Sequence, residues 1–263
     1  MSIETRDGKH YEKPGSRAIH RGGKKIGTED MIGQLLAQRL GGRILDVATG
    51  NGSFIGFLRH YAAPESTVTA VDTSPNAVRA VAGAFREDPV FPVQASGETL
   101  CFSDGTFDAV AVANSIHHFR NPAAILSEMM RVLKPGGLFV LREMFRDGGQ
   151  TEPQKTHIML HHWWGDVDRL TGVVHNSTLT RRELEAIPFE LGLEDVLSAV
   201  QTDMETDPKN PENAAYLGKT IQSCLARAEG HPDLIARGGM LRERLTQVGF
   251  AGASAVLAVG VKA

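Results

Sequence analysis

Two acids and a pair of glycines carry the first chemical signal in the chain. Asp46-Val47-Ala48-Thr49-Gly50-Asn51-Gly52 sets two glycines one residue apart behind an aspartate. Glycines so spaced let the backbone turn tightly and let a ligand come close to it. The full Gly-x-Gly-x-x-Gly pattern is absent, and Gly56 falls at the wrong spacing to supply its third glycine. A diphosphate-bearing cofactor is therefore disfavoured, and with it a nucleotide-dependent oxidoreductase. The loop suits a ligand with an amino-acid end, whose ammonium Asp46 can meet directly or through water. Asp72 stands 20 residues after Gly52, where an acid can accept hydrogen bonds from ribose hydroxyls. Alone, Asp72 reads equally well as a helix cap; behind the glycine loop, the ribose reading prevails.

Histidines carry the second signal. The segment from Gln154 to Leu170 reads as a long helix, with Met159, Leu160, Trp163, Trp164, Val167 and Leu170 on one apolar face. At ~100° per residue, His157, His161 and Asp168 fall on one stripe at the border of that face. Two imidazoles and a carboxylate are the ligand types of a divalent metal site, and His175, Glu143 or His117 could complete one across the fold. His162 and Asp166 form a second i, i+4 pair. A polar border on an amphipathic helix is the preferred reading of the stripe, ahead of metal. A third reading makes His157, His161 or His162 a base that deprotonates a substrate. His117-His118 is a further candidate pair, since imidazole titrates near neutrality.

The elements that must hold these residues alternate. Thr28 is expected to cap a first helix, which Gly41-Gly42 stops. Short apolar strands are expected at Arg43–Ala48, Thr67–Asp72, Val90–Gln94, Phe107–Ala113 and Leu138–Leu141. Helices follow the glycine loop, Ser74-Pro75 and Asn121-Pro122, the last two being a cap followed by proline at the first helical position. Pro135-Gly136-Gly137 reads as a tight turn. Such alternation predicts βαβ units and a mostly parallel sheet, with ligands outside the carboxyl ends of its strands. Beyond Leu141, helices are expected at 154–170, from Thr180, at 211–229 and at 232–248. Strands are expected at Glu194–Val200 and Ala253–Val261.

Five segments, taken in order, resemble the class I S-adenosylmethionine-dependent methyltransferases: the DVATGNG loop, VDTSP, ASGETLCFSDGTFD, NSIHHF and RVLKPGG. The likeness is to the small-molecule group that includes the ubiquinone and menaquinone C-methyltransferases, and it covers roughly residues 30–145. It implies an α/β, Rossmann-like sheet, mostly parallel and of seven strands, with extra helices forming a lid. It implies S-adenosylmethionine as cofactor, with Ala48, Thr49, Gly50, Asn51 and Gly52 passing its methionine portion. Asp72 would then bind the ribose, and Thr73 would flank the adenine. Ser96, Gly97 and Glu98 would lie near the adenine, and Asn114 and Ser115 beside the sulfonium. Ser96 stands where the family usually has an aspartate, so its hydroxyl would bond the adenine amine without charge assistance. The implied reaction is methyl transfer to a small-molecule acceptor through an O, S, N or C nucleophile. Trp163, Trp164 and the nearby histidines suit an aromatic one. A metal-dependent methyltransferase using the helix 154–170 is the alternative.

Bulk properties agree with an ordinary globular chain of 263 residues, 41% hydrophobic and 22% charged. A net charge of −3 gives no global attraction to nucleic acid or membrane. No apolar run reaches the ~18 residues of a membrane span. Cys101 and Cys224 make no disulfide framework, and a cytoplasmic protein, monomer or homodimer, is expected. Four parts are expected: a basic N-terminal arm at 1–27, with Arg6, Lys9, Lys13, Arg17, Arg21, Lys24 and Lys25; a cofactor core at 28–145; a helical lid at 146–188; and, at 189–263, the end of the sheet with an inserted helical pair.

Overall fold

The fold is a computed structural model, which describes residues 27–202 and 207–263 together with a short antiparallel backbone pairing of Ile3–Glu4 with His10–Tyr11. The basic residues of the expected arm, from Arg6 to Lys25, lie outside the described residues.

Helix α1 (Thr28–Arg39) leads into strand β1 (Arg43–Val47). There follow α2 (Ser53–Tyr61), β2 (Thr67–Asp72), α3 (Pro75–Ala84) and β3 (Val90–Gln94). Strand β4 (Phe107–Ala113), helix α4 (Pro122–Val132) and strand β5 (Leu133–Met144) complete the expected alternation. Next come α5 (Glu152–Arg169), α6 (Arg181–Glu190), β6 (Leu193–Gln201), α7 (Pro211–Arg227), α8 (Pro232–Val248) and β7 (Ala255–Lys262). The seven strands form one sheet in the order β3-β2-β1-β4-β5-β7-β6. Neighbours run parallel except at β7, which is antiparallel to both β5 and β6. The sheet is thus Rossmann-like and mostly parallel.

A two-residue side-chain period divides the sheet's apolar residues between two cores. Ile44, Ala109, Ala111, Leu138 and Val140 face α1, α2 and α3, meeting Leu36, Ile55, Leu58 and Val81. Leu45, Val110, Val112, Phe139 and Leu141 face α4 and α6, meeting Ile125, Met129, Leu184 and Ile187. Strands buried on both faces read as continuous apolar runs, as FDAVAVA does.

Helices α5, α7 and α8 build a third core from Leu160, Trp163, Val167, Leu217, Ile221, Leu241 and Leu245. Trp163 is fully buried, and its indole N–H donates to the Leu234 carbonyl at 2.9 Å. The long helix of the expected lid is therefore packed with the helical pair from the end of the chain. Its apolar face is narrower than expected. Met159 and Leu170 are exposed, while Ile158 turns to Met144 and Ala253.

Two local expectations need correction. Gly27, not Thr28, is the N-cap of α1; its backbone N–H meets the Asp30 carboxylate and Thr28 is already helical. Pro135-Gly136-Gly137 does not end a turn before a strand. It lies inside β5, where the pairing with β4 shifts register between Phe107 and Ala109. Such a bulge keeps the strand continuous while taking up extra residues.

Candidate active site

The strand order reverses between β1 and β4, which are adjacent and parallel. At such a switch point the loops leaving the strands' carboxyl ends diverge and open a crevice. A cleft of about 580 Å³ opens there. From the end of β1 it takes Ala48 and Gly50; from β2, Asp72 and Thr73; from the loop after β3, Ser96, Gly97 and Glu98; from the end of β4, Asn114, Ser115 and His118. Ten of the residues singled out from the sequence thus share one wall system. Phe119, Arg120 and Ile125 line it too and were not foreseen, although Phe119 and Arg120 directly follow the histidine pair.

The backbone at the two central strand ends is shaped for this opening. Ala48 and Asn114 both adopt left-handed conformations, at φ 56° and 47°, a region that non-glycine residues rarely occupy. Gly52 closes the loop at φ 83°, and a Cβ there would come within 2.7 Å of the Phe85 ring. Ser115 Oγ donates toward the Ala48 and Ala113 carbonyls, at 3.1 and 2.8 Å, tying the two strand ends together.

Asp72 organises the loop. Its Oδ2 accepts from the Gly50 N–H at 2.9 Å and its Oδ1 from the Ser74 N–H at 2.8 Å. Each carboxylate oxygen keeps a further lone pair for a ligand hydroxyl. Ser96 Oγ accepts from the Glu98 N–H at 3.2 Å, so its hydroxyl hydrogen is left to point elsewhere. Asp46 and Thr49 are buried behind the wall rather than on it; Thr49 donates to Asp46 Oδ2 at 2.6 Å. Burial, which outweighs the Thr49 hydrogen bond, pushes the Asp46 carboxyl up from an ordinary 3.8 to about 7. Asn51 is exposed and caps the turn into α2 by accepting from the Ser53 N–H.

The histidines gather on the other side of the β4 end. Glu143, buried on β5, accepts from the backbone N–H groups of Ser115 and Ile116 at 2.8 and 2.9 Å. That fixes the single 3-10 turn Ile116–His118, which carries His117 and His118. Asn176 clamps the loop after α5 onto the same turn, its N–H donating to the His117 carbonyl at 2.7 Å and its amide to the Phe119 carbonyl at 3.2 Å. His175 is thereby laid against α5, 3.1 Å from where a Cβ on Gly165 would stand.

His161 consequently gathers with His117 and His175 rather than with Asp168 as the helical stripe suggested, and His157 keeps only an edge contact with it, ring centroids 6.1 Å apart. The ring nitrogens of His117, His161 and His175 lie within 4.8 Å of one another. His157 Nδ1 instead accepts from the Ala253 N–H at 2.9 Å. Asp168 holds His175 Nδ1 at 2.9 Å with one oxygen and Arg227 at 2.7 Å with the other. The His162–Asp166 pair does not form either. His162 Nε2 contacts Thr178 Oγ1 at 2.9 Å, and Asp166 is taken by Arg169 and Arg237. A stripe on one helix cannot show which loop will cover it. Burial and then the neighbouring imidazoles pull His118 down to about 4 and His161 to about 2. A base works best with a pKa near the working pH, so neither suits proton abstraction at neutrality.

Fold and crevice together define a Rossmann-like domain with an open cleft at the β1–β4 switch point and an acid, Asp72, at the end of β2 on its wall. Comparison with known proteins supplies the family. Residues 45–141 match the methyltransferase domain family. The demethylmenaquinone methyltransferase of Symbiobacterium thermophilum is 31% identical over 180 residues, which is 64% of this chain and 72% of that protein. The ubiquinone/menaquinone biosynthesis C-methyltransferase UbiE of Geobacter sulfurreducens is 38% identical over 107 residues, 39% of this chain. The chain spans only 42% of that relative's length. The crystal structure of the YcgJ protein from Bacillus subtilis shares the fold, with a TM-score of 0.53 at 19% identity over 89% of this chain and 97% of that one. The chain belongs to the S-adenosylmethionine-dependent methyltransferase-domain family.

The cleft fits that cofactor. Its volume is within the usual range for small-ligand sites, and Asp72 offers acceptor capacity at the strand end where a ribose would lie.

Proposed function

We propose that this protein transfers a methyl group from S-adenosylmethionine to a small apolar acceptor, with an acceptor carbon as the first atom to test. The observation that carries this reading is the convergence of Ala48, Gly50, Asp72, Ser96, Asn114 and Ser115 on one cleft at the sheet's switch point. When bound, S-adenosylmethionine supplies a methyl group activated by a positively charged sulfur. Asp72 accepts hydrogen bonds from the ribose hydroxyls while still holding the glycine loop. Asp46, from behind the wall, reaches the ammonium end through water, with Thr49 aligning its carboxylate, and Ala48 to Gly52 form the path between. Thr73 flanks the adenine, and Ser96 accepts its amine. Asn114 and Ser115 stand where the sulfur and methyl would lie. Methyl transfer is an in-line displacement, so the protein's main work is alignment and exclusion of water.

Two further observations support the acceptor class. A second cavity, of about 700 Å³, lies beside the first and is walled by Ile116, His117, Leu126, Met130, Ile187 and Leu191. By their names, one relative is a C-methyltransferase of ubiquinone/menaquinone biosynthesis and the other a demethylmenaquinone methyltransferase. Residues 28–145 then serve as the cofactor core, while 146–188 covers the acceptor side and the helical pair within 189–263 braces α5. A cytoplasmic setting belongs to the same reading, supported by Cys101 and Cys224, which are unpaired. Among the described residues no helix is long and apolar enough to cross a membrane.

Incubation with methyl-labelled S-adenosylmethionine and a panel of quinols, phenols, C-acids, thiols and amines tests the proposal. Label is expected in a small molecule, with quinols and phenols first. Label appearing only in added RNA or protein would reject the small-molecule assignment.

A further inference from the structure

We propose that His117, His161 and His175 bind one divalent transition-metal ion of the zinc type. The three come from three separate parts of the chain: the turn after β4, the middle of α5 and the loop after α5. Each offers a ring nitrogen, and these nitrogens lie within 4.8 Å of one another. His161 Nε2 and His175 Nε2 face each other at 3.1 Å. A tetrahedral ion with bonds of ~2.05 Å separates its ligand nitrogens by ~3.3 Å, so this pair already stands at ligand spacing.

His117 is the second, independent sign. It is 97% buried (3% exposed), and neither ring nitrogen makes a hydrogen bond. Its Nδ1 is 3.2 Å from Glu143 Oε1, near enough for an ion-pair contact but not aligned as a hydrogen bond. Buried imidazole nitrogens rarely go unpaired, because desolvation is then uncompensated. A metal ion bound to Nε2 would supply the missing partner.

The surrounding carboxylates complete the pattern. Metal-bound histidines commonly turn their other nitrogen to a carboxylate, which fixes the tautomer and raises ligand basicity. Asp168 does this for His175 Nδ1 at 2.9 Å and is itself steadied by Arg227. Glu143 is placed to do the same for His117. Three imidazoles and no thiolate favour zinc, iron, cobalt or nickel over magnesium or calcium. Three protein ligands leave a coordination position open, as in catalytic rather than structural zinc sites.

Position gives the ion a use. His118 lines the cofactor cleft, and its ring centroid is 4.3 Å from that of His175; His117 lines the apolar cavity. An ion here would lie between the two and could hold an oxygen-bearing acceptor beside the methyl donor. That use rests on the methyltransferase reading; metal binding does not.

Chelator-stripped protein of all 263 residues, titrated with Zn²⁺ by calorimetry and with Co²⁺ under visible absorption, provides the test. One equivalent of each is expected, with Co²⁺ giving the ligand-field bands of a low-coordinate nitrogen site and Mg²⁺ giving no uptake. His161→Ala and His175→Ala should each weaken Zn²⁺ by more than about 100-fold, Asp168→Asn by roughly 10- to 100-fold, and His162→Ala by less than about threefold. Circular dichroism checks each variant's folding; should His161→Ala not fold, His175→Ala and Asp168→Asn carry the comparison. No uptake by the parent protein, or uptake unchanged in the folded variants, would overturn the site. S-adenosylhomocysteine is titrated into the same samples. Its binding without metal uptake would remove the metal site alone, whereas its failure to bind would count against the cofactor reading.

Discussion

Asp72 and Asp46 differ in environment, and so their substitutions should fail differently. Asp72 is only partly buried and accepts two backbone N–H bonds that hold the glycine loop to the start of α3. Hydrogen bonds to a charged group contribute about 1.5–3 kcal/mol each. Asp72→Ala is therefore expected to weaken S-adenosylhomocysteine binding by roughly 10- to 100-fold, read by calorimetry. Asp46 is fully buried with its carboxyl raised to about 7. A carboxyl with a folded pKa above its unfolded value of 3.8 binds its proton more tightly when folded. The stability this contributes is full below pH 3.8 and is lost as pH rises toward 7. Ligand-free Asp46→Asn should thus resist denaturant better than the parent at pH 8, by up to about 4 kcal/mol, with the gain shrinking toward pH 5. The same variant should bind the cofactor more weakly, because a neutral amide gives up the attraction to an ammonium. A variant less stable than the parent at pH 8 would contradict a net cost of the buried carboxylate.

At the scale of elements, the glycine on α8 that faces Trp163 makes a sharp prediction. Gly238 is buried, and a Cβ on it would collide with the Trp163 ring and stand 2.6 Å from Leu225. Overpacking of this kind costs about 1–3 kcal/mol. Gly238→Ala should lower the unfolding midpoint while leaving cofactor affinity intact, since α8 contributes nothing to the cleft. Elements were also where sequence spoke most clearly. FDAVAVA is a short apolar run buried on both faces, TVTAVD alternates buried Val68 and Ala70 with half-buried threonines, and the capped Ser74-Pro75 and Asn121-Pro122 starts sit at the helix ends. The glycine loop and Asp72 were legible for a related reason: they follow strands, and parallel sheets present such positions at one edge; Thr73, Ser96, Gly97, Glu98, Asn114 and Ser115 were placed by the family resemblance. The histidine site was legible only in half. His161 could be placed on a helix by periodicity, but His175 lies in an irregular loop held by Asn176, and Glu143 acts from a neighbouring strand. Those are long-range contacts, which no local spacing encodes.

For the whole molecule, the three cores suggest how binding and stability are linked. The cofactor cleft draws on loops from both sides of the sheet, whereas the core around Trp163 stands apart from it. A ligand taken up only by the folded chain stabilises it, by about 2.7 kcal/mol at 100 times its Kd. Saturating S-adenosylhomocysteine should accordingly raise the thermal midpoint by roughly 5–10 °C, and far less in Asp72→Ala. The central claim is that the switch-point cleft is an S-adenosylmethionine site, and isothermal titration of S-adenosylhomocysteine into the parent protein tests it most directly. One equivalent taken up per chain, with affinity lost on replacing Asp72, is the predicted result. Folded protein that takes up neither that compound nor S-adenosylmethionine would contradict it.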